Sequence, residues 1–240
     1  MPLSPEEFRK TQNWYPYLAD RTFLTSFVKL RQEEISALGQ GEAKGHWAEE
    51  AIARLAAPMS AISGNCFVYT DCTAPTDTRR FAGKGGAVYS PQSAWRFLAE
   101  SEKIKNAAQA GQVSHICIRP FRRINQAREF RLFIHDGKLK GMSQYWLIRH
   151  FRRLEGPKEA YWRMAKAMVS EIAWVLPVSE IVMDIYITSD NNILIIDLNP
   201  WGPPTNPLLF HNWEQDWSTE IGLKLIPPPL KISGDVNVSF

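Results

Sequence analysis

Ile181-Val-Met-Asp-Ile-Tyr-Ile-Thr188, Ser189-Asp-Asn-Asn192 and Ile193-Leu-Ile-Ile-Asp-Leu-Asn-Pro200 form one continuous stretch. Two runs rich in Ile, Val and Leu flank four turn-forming residues, which is the pattern of an antiparallel β-hairpin. With Asp190 and Asn191 as the turn, Asp184 lies directly opposite Asp197. Side chains alternate between faces along a strand, so Asn199 joins them on the same face. A longer symmetric loop leaves this pairing unchanged.

Two carboxylates opposed in this way sit roughly 5 Å apart at Cβ, and like charges so placed repel. Both are embedded in apolar strands, where uncompensated burial costs several kcal/mol or forces protonation. A divalent cation removes the conflict, and two carboxylates with an amide oxygen are the donors magnesium takes, leaving positions for phosphate oxygens. The spacing is equally compatible with two half-exposed acids, solvated or paired with an arginine.

Upstream, strands are expected at 115–119, 129–135 and 138–145, with Asp136-Gly137 as a two-residue hairpin turn. That turn pairs Glu129 with Gln144 and Arg131 with Met142. Glu129 and Arg131 then share a polar face, while Phe130, Leu132 and Ile134 form the opposite, buried one. Arg131 is placed to neutralise the acid pair or to clamp a phosphoryl group.

The longest helix is expected at 157–176, where Tyr161, Met164, Ala165, Met168, Ile172, Val175 and Leu176 follow three-and-four spacing. Shorter helices are expected at 4–13, at 46–57 and from Ser90-Pro91 onward. Strands are expected at 22–30 and 65–70. Trp14-Tyr-Pro-Tyr-Leu18 reads as an aromatic turn, 71–86 as a long loop and the chain after Pro227 as a loose arm. Gly83-Lys-Gly-Gly86 lacks the spacing of a phosphate-binding P-loop and reads as a surface turn. Trp201, Trp213 and Trp217 are expected to cap the core.

The chain has 240 residues, of which 45% are hydrophobic, enough for a sizeable core in one domain or two small lobes. Its 28 basic and 25 acidic residues nearly balance, so nothing demands nucleic acid as a partner, although it is not excluded. Cys66, Cys72 and Cys117 are too few and too scattered for a disulfide framework or a zinc site. No apolar run reaches membrane-spanning length and the N-terminus has no signal-peptide pattern, so a cytoplasmic protein is expected. Arg122, Arg123, Arg149, Arg152 and Arg153 could form a basic strip, with a solvated face as the plain alternative.

Several motifs, taken together and in order, are more specific. Ile118-Arg119-Pro-Phe121, Glu129-Phe-Arg-Leu-Phe133, Gly141-Met-Ser-Gln144, Asp184-Ile-Tyr186, Ile195-Ile-Asp-Leu-Asn-Pro-Trp-Gly202 and Leu208-Leu-Phe210 resemble the cell division cycle protein 123 family. Trp14-Tyr-Pro16 with Thr22, and Ala74-Pro-Thr-Asp77, resemble further landmarks of that family, so the likeness runs from Trp14 to Phe210.

The resemblance implies an α+β ATP-grasp fold, two lobes with antiparallel sheets enclosing a nucleotide cleft. It also implies bound ATP with Mg2+ held by Asp184, Asp197 and Asn199. Arg131 would contact phosphate, Cys117, Ile118 and Arg119 would meet the adenine through their backbone, and Gln144 would line the cleft. Tyr69 stands where relatives usually carry a basic residue that reaches the nucleotide; Arg79, Arg80 or Lys84 could substitute. The expected division is 1–115 for the N-terminal lobe, 116–226 for the C-terminal lobe with the metal site, and 227–240 for a tail.

Three functions are compatible with such a chain. The first is an ATP-dependent assembly chaperone, acting as a monomer on a translation initiation factor 2-like protein partner. The second is an ATP-dependent ligase or phosphoryl or adenylyl transferase, for which no acceptor site is recognisable. The third is a scaffold that has lost ATP, to which Tyr69 points.

Overall fold

The computed structural model describes residues 3–229; residues 230–240, most of the expected tail, lie outside them. In chain order the helices are α1 (Pro5–Arg9), α2 (Thr11–Leu18), α3 (Gln32–Gln40), α4 (His46–Ser60), α5 (Arg79–Lys84), α6 (Pro91–Ala99), α7 (Glu102–Gln109) and α8 (Lys158–Ile172). The strands are β1 (Ser26–Lys29), β2 (Cys66–Thr70), β3 (His115–Pro120), β4 (Glu129–His135), β5 (Lys138–Gln144), β6 (Ile181–Ile187), β7 (Ile193–Asn199) and β8 (Gly222–Lys224).

Two sheets result. A three-stranded antiparallel sheet has the order β1-β3-β2. A five-stranded sheet has the order β7-β6-β4-β5-β8, antiparallel except where β8 joins β5 in parallel. Each sheet has its own core, so the expected two-lobed α+β architecture is present. The first core gathers Val68, Ile116 and Ile118 with Leu38, Leu55, Trp95, Phe97 and Leu98 from the helices. The second packs Phe130, Leu132, Met183 and Ile185 against Tyr161, Ala165, Met168 and Ile172 of α8. The cores do not follow chain order: Phe8, Trp14 and Leu18 belong to the second, while strand β3 belongs to the first sheet.

Several local expectations are corrected. Residues 14–18 are helical rather than turn-like, with Pro16 inside α2, because burial of Trp14 and Leu18 favours the continued helix. The loop 71–86 contains α5, which Thr78 caps through its hydroxyl and Gly85 ends at φ +64°. The helix from Ser90 is broken in two by Ser101, whose side chain caps α7. Helix α3 and strand β8 were not expected; α3 buries Ile35, Ala37 and Leu38 and ends at Gly41 with φ +71°.

Both hairpins also carry a one-residue irregularity. Asp136 and Gly137 have φ of +51° and +65°, as a two-residue hairpin turn of this type requires. The pairs nearest the turn keep the expected register, but Phe133 then faces Gly141, leaving Lys140 as an extra residue. Beyond it Arg131 faces Ser143 and Phe130 faces Gln144, one residue away from the expected pairing. In the second hairpin the loop between Ile187 and Ile193 is odd-numbered, which shifts the register by one. The extra residue Ile196 shifts it back, so Asp184 does face Asp197.

Candidate functional site

The five-stranded sheet presents two different faces. One is sealed by α8 and the second core. The other divides into three zones along β4 and β6. At the far end Phe133 and Val182 lie under Phe210 and Trp217, with Trp201 and Trp213 packed beside them, so the tryptophans cap a core as expected. Phe133 stacks on Trp217 at 5.3 Å between ring centres. Gly141, opposite Phe133, lets these rings approach: a Cβ there would lie 2.6 Å from Phe210.

The middle zone is a transverse row. Ser143, Arg131, Asp184 and Asp197 stand side by side on β5, β4, β6 and β7. Arg131 grips Asp184 with two hydrogen bonds, Nε to Oδ1 at 2.7 Å and a terminal nitrogen to Oδ2 at 2.8 Å. Its other terminal nitrogen donates to the Asn206 carbonyl at 2.8 Å. The Asn199 amide donates to Asp184 Oδ2 at 3.0 Å. Asp197 accepts the Leu198 backbone N–H at 2.9 Å and has no ion-pair partner among the described residues. Withdrawal from water first, and the Asp184 charge second, push its carboxyl up to about 7. The row thus concentrates oxygen donors that repel one another and of which only one is neutralised.

The third zone opens into a cleft of about 1020 Å³ between the lobes, lined by Asp184, Asp197 and Glu129 on the sheet side. Glu129 is almost fully buried and accepts a hydrogen bond from the Trp146 indole at 2.7 Å. Burial pushes its carboxyl up to about 7. Across the cleft the Arg119 guanidinium lies 4.7 to 5.1 Å from the rings of Phe23, Phe67 and Tyr69. The cation beside Tyr69 is therefore Arg119. Arg80 is turned onto the Ala87 carbonyl and Arg79 is exposed, while Lys84 lines the cleft elsewhere.

Of the residues singled out from the sequence, the fold brings Arg131, Asp184, Asp197 and Asn199 together, with Arg119 facing the same cleft. Cys117 and Ile118 lie fully buried between β1 and β2, whereas Arg119 extends beyond the last β1 pair at Ser26. Gln144 falls on the other face, opposite Phe130. Its amide donates to the Trp146 and Arg149 carbonyls, and its oxygen accepts from the Ile226 N–H, so it shapes the 145–150 loop rather than lining the cleft. The bulge at Lys140 is the reason. Tyr145 and Trp146, the two residues directly after β5, also line the cleft.

The donor set suits magnesium: two carboxylates in the cleft lining, one of them without a counter-charge, with the Asn199 amide beside Asp184. Among the described residues no cluster of three or more His, Cys, Asp and Glu has metal-binding geometry, so any such site depends on Asn199 and on a ligand's own oxygens.

Comparison with known proteins places the chain. It is 31% identical over 120 residues to the translation initiation factor eIF2 assembly protein of Kluyveromyces lactis, covering 48% of this chain and 32% of that protein. It is 24% identical over 223 residues to a putative CDC123-like protein of Acanthamoeba polyphaga mimivirus, covering 85% and 68%. The match thus spans about a third of the first relative's length. The solved structure of Cdc123 from Schizosaccharomyces pombe superposes with a TM-score of 0.80 at 16% identity, covering 95% of this chain and 99% of that one. No helix among the described residues is long and apolar enough to cross a membrane. A family model described as D123 matches residues 92–222, more than half of the sequence, and the chain belongs to the D123 family.

Proposed function

We propose that the chain binds Mg-ATP in its interlobe cleft and acts in the cytoplasm as an ATP-dependent assembly factor for a protein partner of the translation initiation factor 2 kind. The observation that carries the nucleotide half is the Arg131–Asp184–Asp197 row with Asn199 beside it. The partner half rests on family membership and on relatives named as eIF2 assembly proteins.

In this reading Asp184, Asp197 and Asn199 hold the magnesium, which when bound neutralises phosphate charge. Arg131, whose three nitrogens are taken by Asp184 and the Asn206 carbonyl, positions Asp184 rather than reaching a phosphate, and Arg119, held among three rings in the cleft lining, offers the cation. Cys117 and Ile118 are enclosed by β1 and β2, so the adenine wall would be formed by Arg119 and the residues that follow it. Glu129, at the same end of the cleft and able to exchange a proton near neutrality, is the residue that would serve a ligase, the second reading.

A thermal-shift titration with ATP, with and without magnesium, tests the proposal. A ligand at about 100 times its Kd stabilises by about 2.7 kcal/mol, so a magnesium-dependent rise in Tm is expected. No rise at millimolar ATP overturns it. Phosphate or diphosphate release that appears only when an acceptor is supplied would favour the ligase.

A further inference from the structure

Beyond the row, the mouth of the cleft is built from two loops, 121–125 after β3 and 145–153 after β5. They are tied together where Arg153 donates to Asn125 Oδ1 at 2.7 Å. Arg122, Arg123, Arg149 and Arg153 line the cleft from these loops, and all four are exposed. None of them has a carboxylate partner among the described residues, although arginines elsewhere in the chain (Arg21, Arg31, Arg54 and Arg96) do. Glu155, the acid nearest in sequence to Arg149 and Arg153, lies against His150 at 3.3 Å. A chain whose net charge is only +3 therefore gathers four unneutralised arginines on one rim. Like charges crowded at a cleft mouth focus a positive field toward an anionic ligand.

Ligand pockets run to roughly 300–1,000 Å³, and this cleft, its arginine rim included, stands at the top of that range with a volume of about 1020 Å³. The chemistry around the arginines also narrows the class of ligand. Leu147 and Ile148, immediately before Arg149, are 44% and 58% exposed. Two aromatic rings of these loops already carry cations: Arg149 and Arg153 lie over Phe151 at 5.2 and 5.8 Å, and Arg131 over Tyr145 at 5.2 Å, while Phe121 and Trp146 are half-buried and the Trp146 indole is held by Glu129. Single-stranded nucleic acid binds through open aromatic faces along a basic groove. Here the Phe151 ring holds the guanidiniums of Arg149 and Arg153, neither of which has a carboxylate partner among the described residues, and the exposed Leu147 and Ile148 beside them are aliphatic.

We infer that this rim is a docking site for an extended acidic segment of a protein, with carboxylates on Arg122, Arg123, Arg149 and Arg153 and an aliphatic side chain against Leu147 and Ile148. The inference rests on the chain being a protein-capturing assembly factor but does not require ATP. It puts the partner's acidic segment at the open end of the nucleotide cleft.

The test is fluorescence anisotropy with a fluorescein-labelled peptide of repeated Glu-Glu-Leu units, compared with a labelled single-stranded RNA of equal charge. The wild-type full chain and an Arg122→Glu/Arg149→Glu variant are used, one substitution from each loop. Saturable peptide binding that weakens at least about tenfold in the variant, with an unchanged melting temperature and an unchanged ATP-dependent thermal shift, supports the inference. RNA bound as tightly as the peptide, or a peptide affinity that the variant leaves unchanged, overturns it. Loss of the ATP-dependent shift in the variant also overturns it, because the rim would then belong to the nucleotide site. Peptide binding in a protein that shows no ATP response would leave the docking site standing and remove the nucleotide half of the proposed function.

Discussion

Arg131 and Asp184 stand opposite each other on β4 and β6 and are joined by paired hydrogen bonds of 2.7 and 2.8 Å, with only 8% of either side chain exposed. The pair lies in the centre of the row that also holds Asp197, so one guanidinium faces two carboxylates and fully satisfies one of them. A bidentate arginine gives this arrangement a fixed geometry that a lysine would not. It explains how two acids can be adjacent at the edge of a hydrophobic core in a stably folded chain. It also defines where added positive charge would be most strongly accepted, which is beside Asp197.

Arg131→Met should be strongly destabilising, by about 3–5 kcal/mol, because it leaves the Asp184 charge buried with only an amide for company. Urea unfolding of the variant checks this. The double variant Arg131→Met/Asp184→Leu should recover most of the loss, since replacing both members of a buried pair is often close to neutral. A single-variant loss below about 1 kcal/mol would mean that water already screens the pair.

Asp197→Asn keeps the shape and removes the repulsive charge. The folded state holds the Asp197 proton up to about 7, well above the usual carboxylate range, so ionisation of this group works against folding as the pH rises. The stability advantage of the variant over the parent is expected to be larger near pH 8 than near pH 5, with magnesium-dependent ATP binding lost by calorimetry. Unchanged ATP affinity would remove Asp197 from the proposed metal site.

Gly141→Ala probes the aromatic cap behind the row. Its Cβ would lie 2.6 Å from Phe210 and 3.1 Å from Trp217, both buried and packed on Phe133. Overpacking of this kind costs about 1–3 kcal/mol, and a loss of that size is expected in urea unfolding, with a changed near-ultraviolet signal from the tryptophans. A neutral variant would show that the Phe210 ring can move aside.

How much of this was legible in the sequence follows from which contacts are local. The Asp184–Asp197 pairing was read correctly from the hairpin, but only because two deviations cancel: an odd loop moves the register one way and the extra Ile196 moves it back. The first hairpin has a single bulge, so nothing restores its register, and Gln144 ends on the face opposite the one expected. The partnership of Arg131 with Asp184 joins strands 53 residues apart in sequence, and no turn announces it. Trp14 and Leu18 override the turn chemistry of Pro16 for a similar reason, since their burial is against distant strands. Side-chain periodicity located α8, and turn chemistry located both hairpins. Bulges and pairings between distant strands are set by packing that a linear reading does not contain.

Glu129 supplies the last prediction, a pH dependence of stability. Burial raises its carboxyl from an ordinary value near 4.5 to about 7 in the folded chain. Between those values the native state binds more protons than the unfolded chain, so stability falls as pH rises through that window and levels off above it. The drop attributable to this group is of the order of 3 kcal/mol. Asp197 acts in the same direction over an overlapping range, so the comparison is best made in the Asp197→Asn background. There, urea unfolding at about pH 5 and about pH 8 should still show the more acidic sample to be more stable, and adding Glu129→Gln should remove most of the remaining difference. A pH difference that persists in the double variant would trace the dependence to another buried group. A flat profile with Glu129 intact would mean that its carboxylate is already well solvated through the cleft.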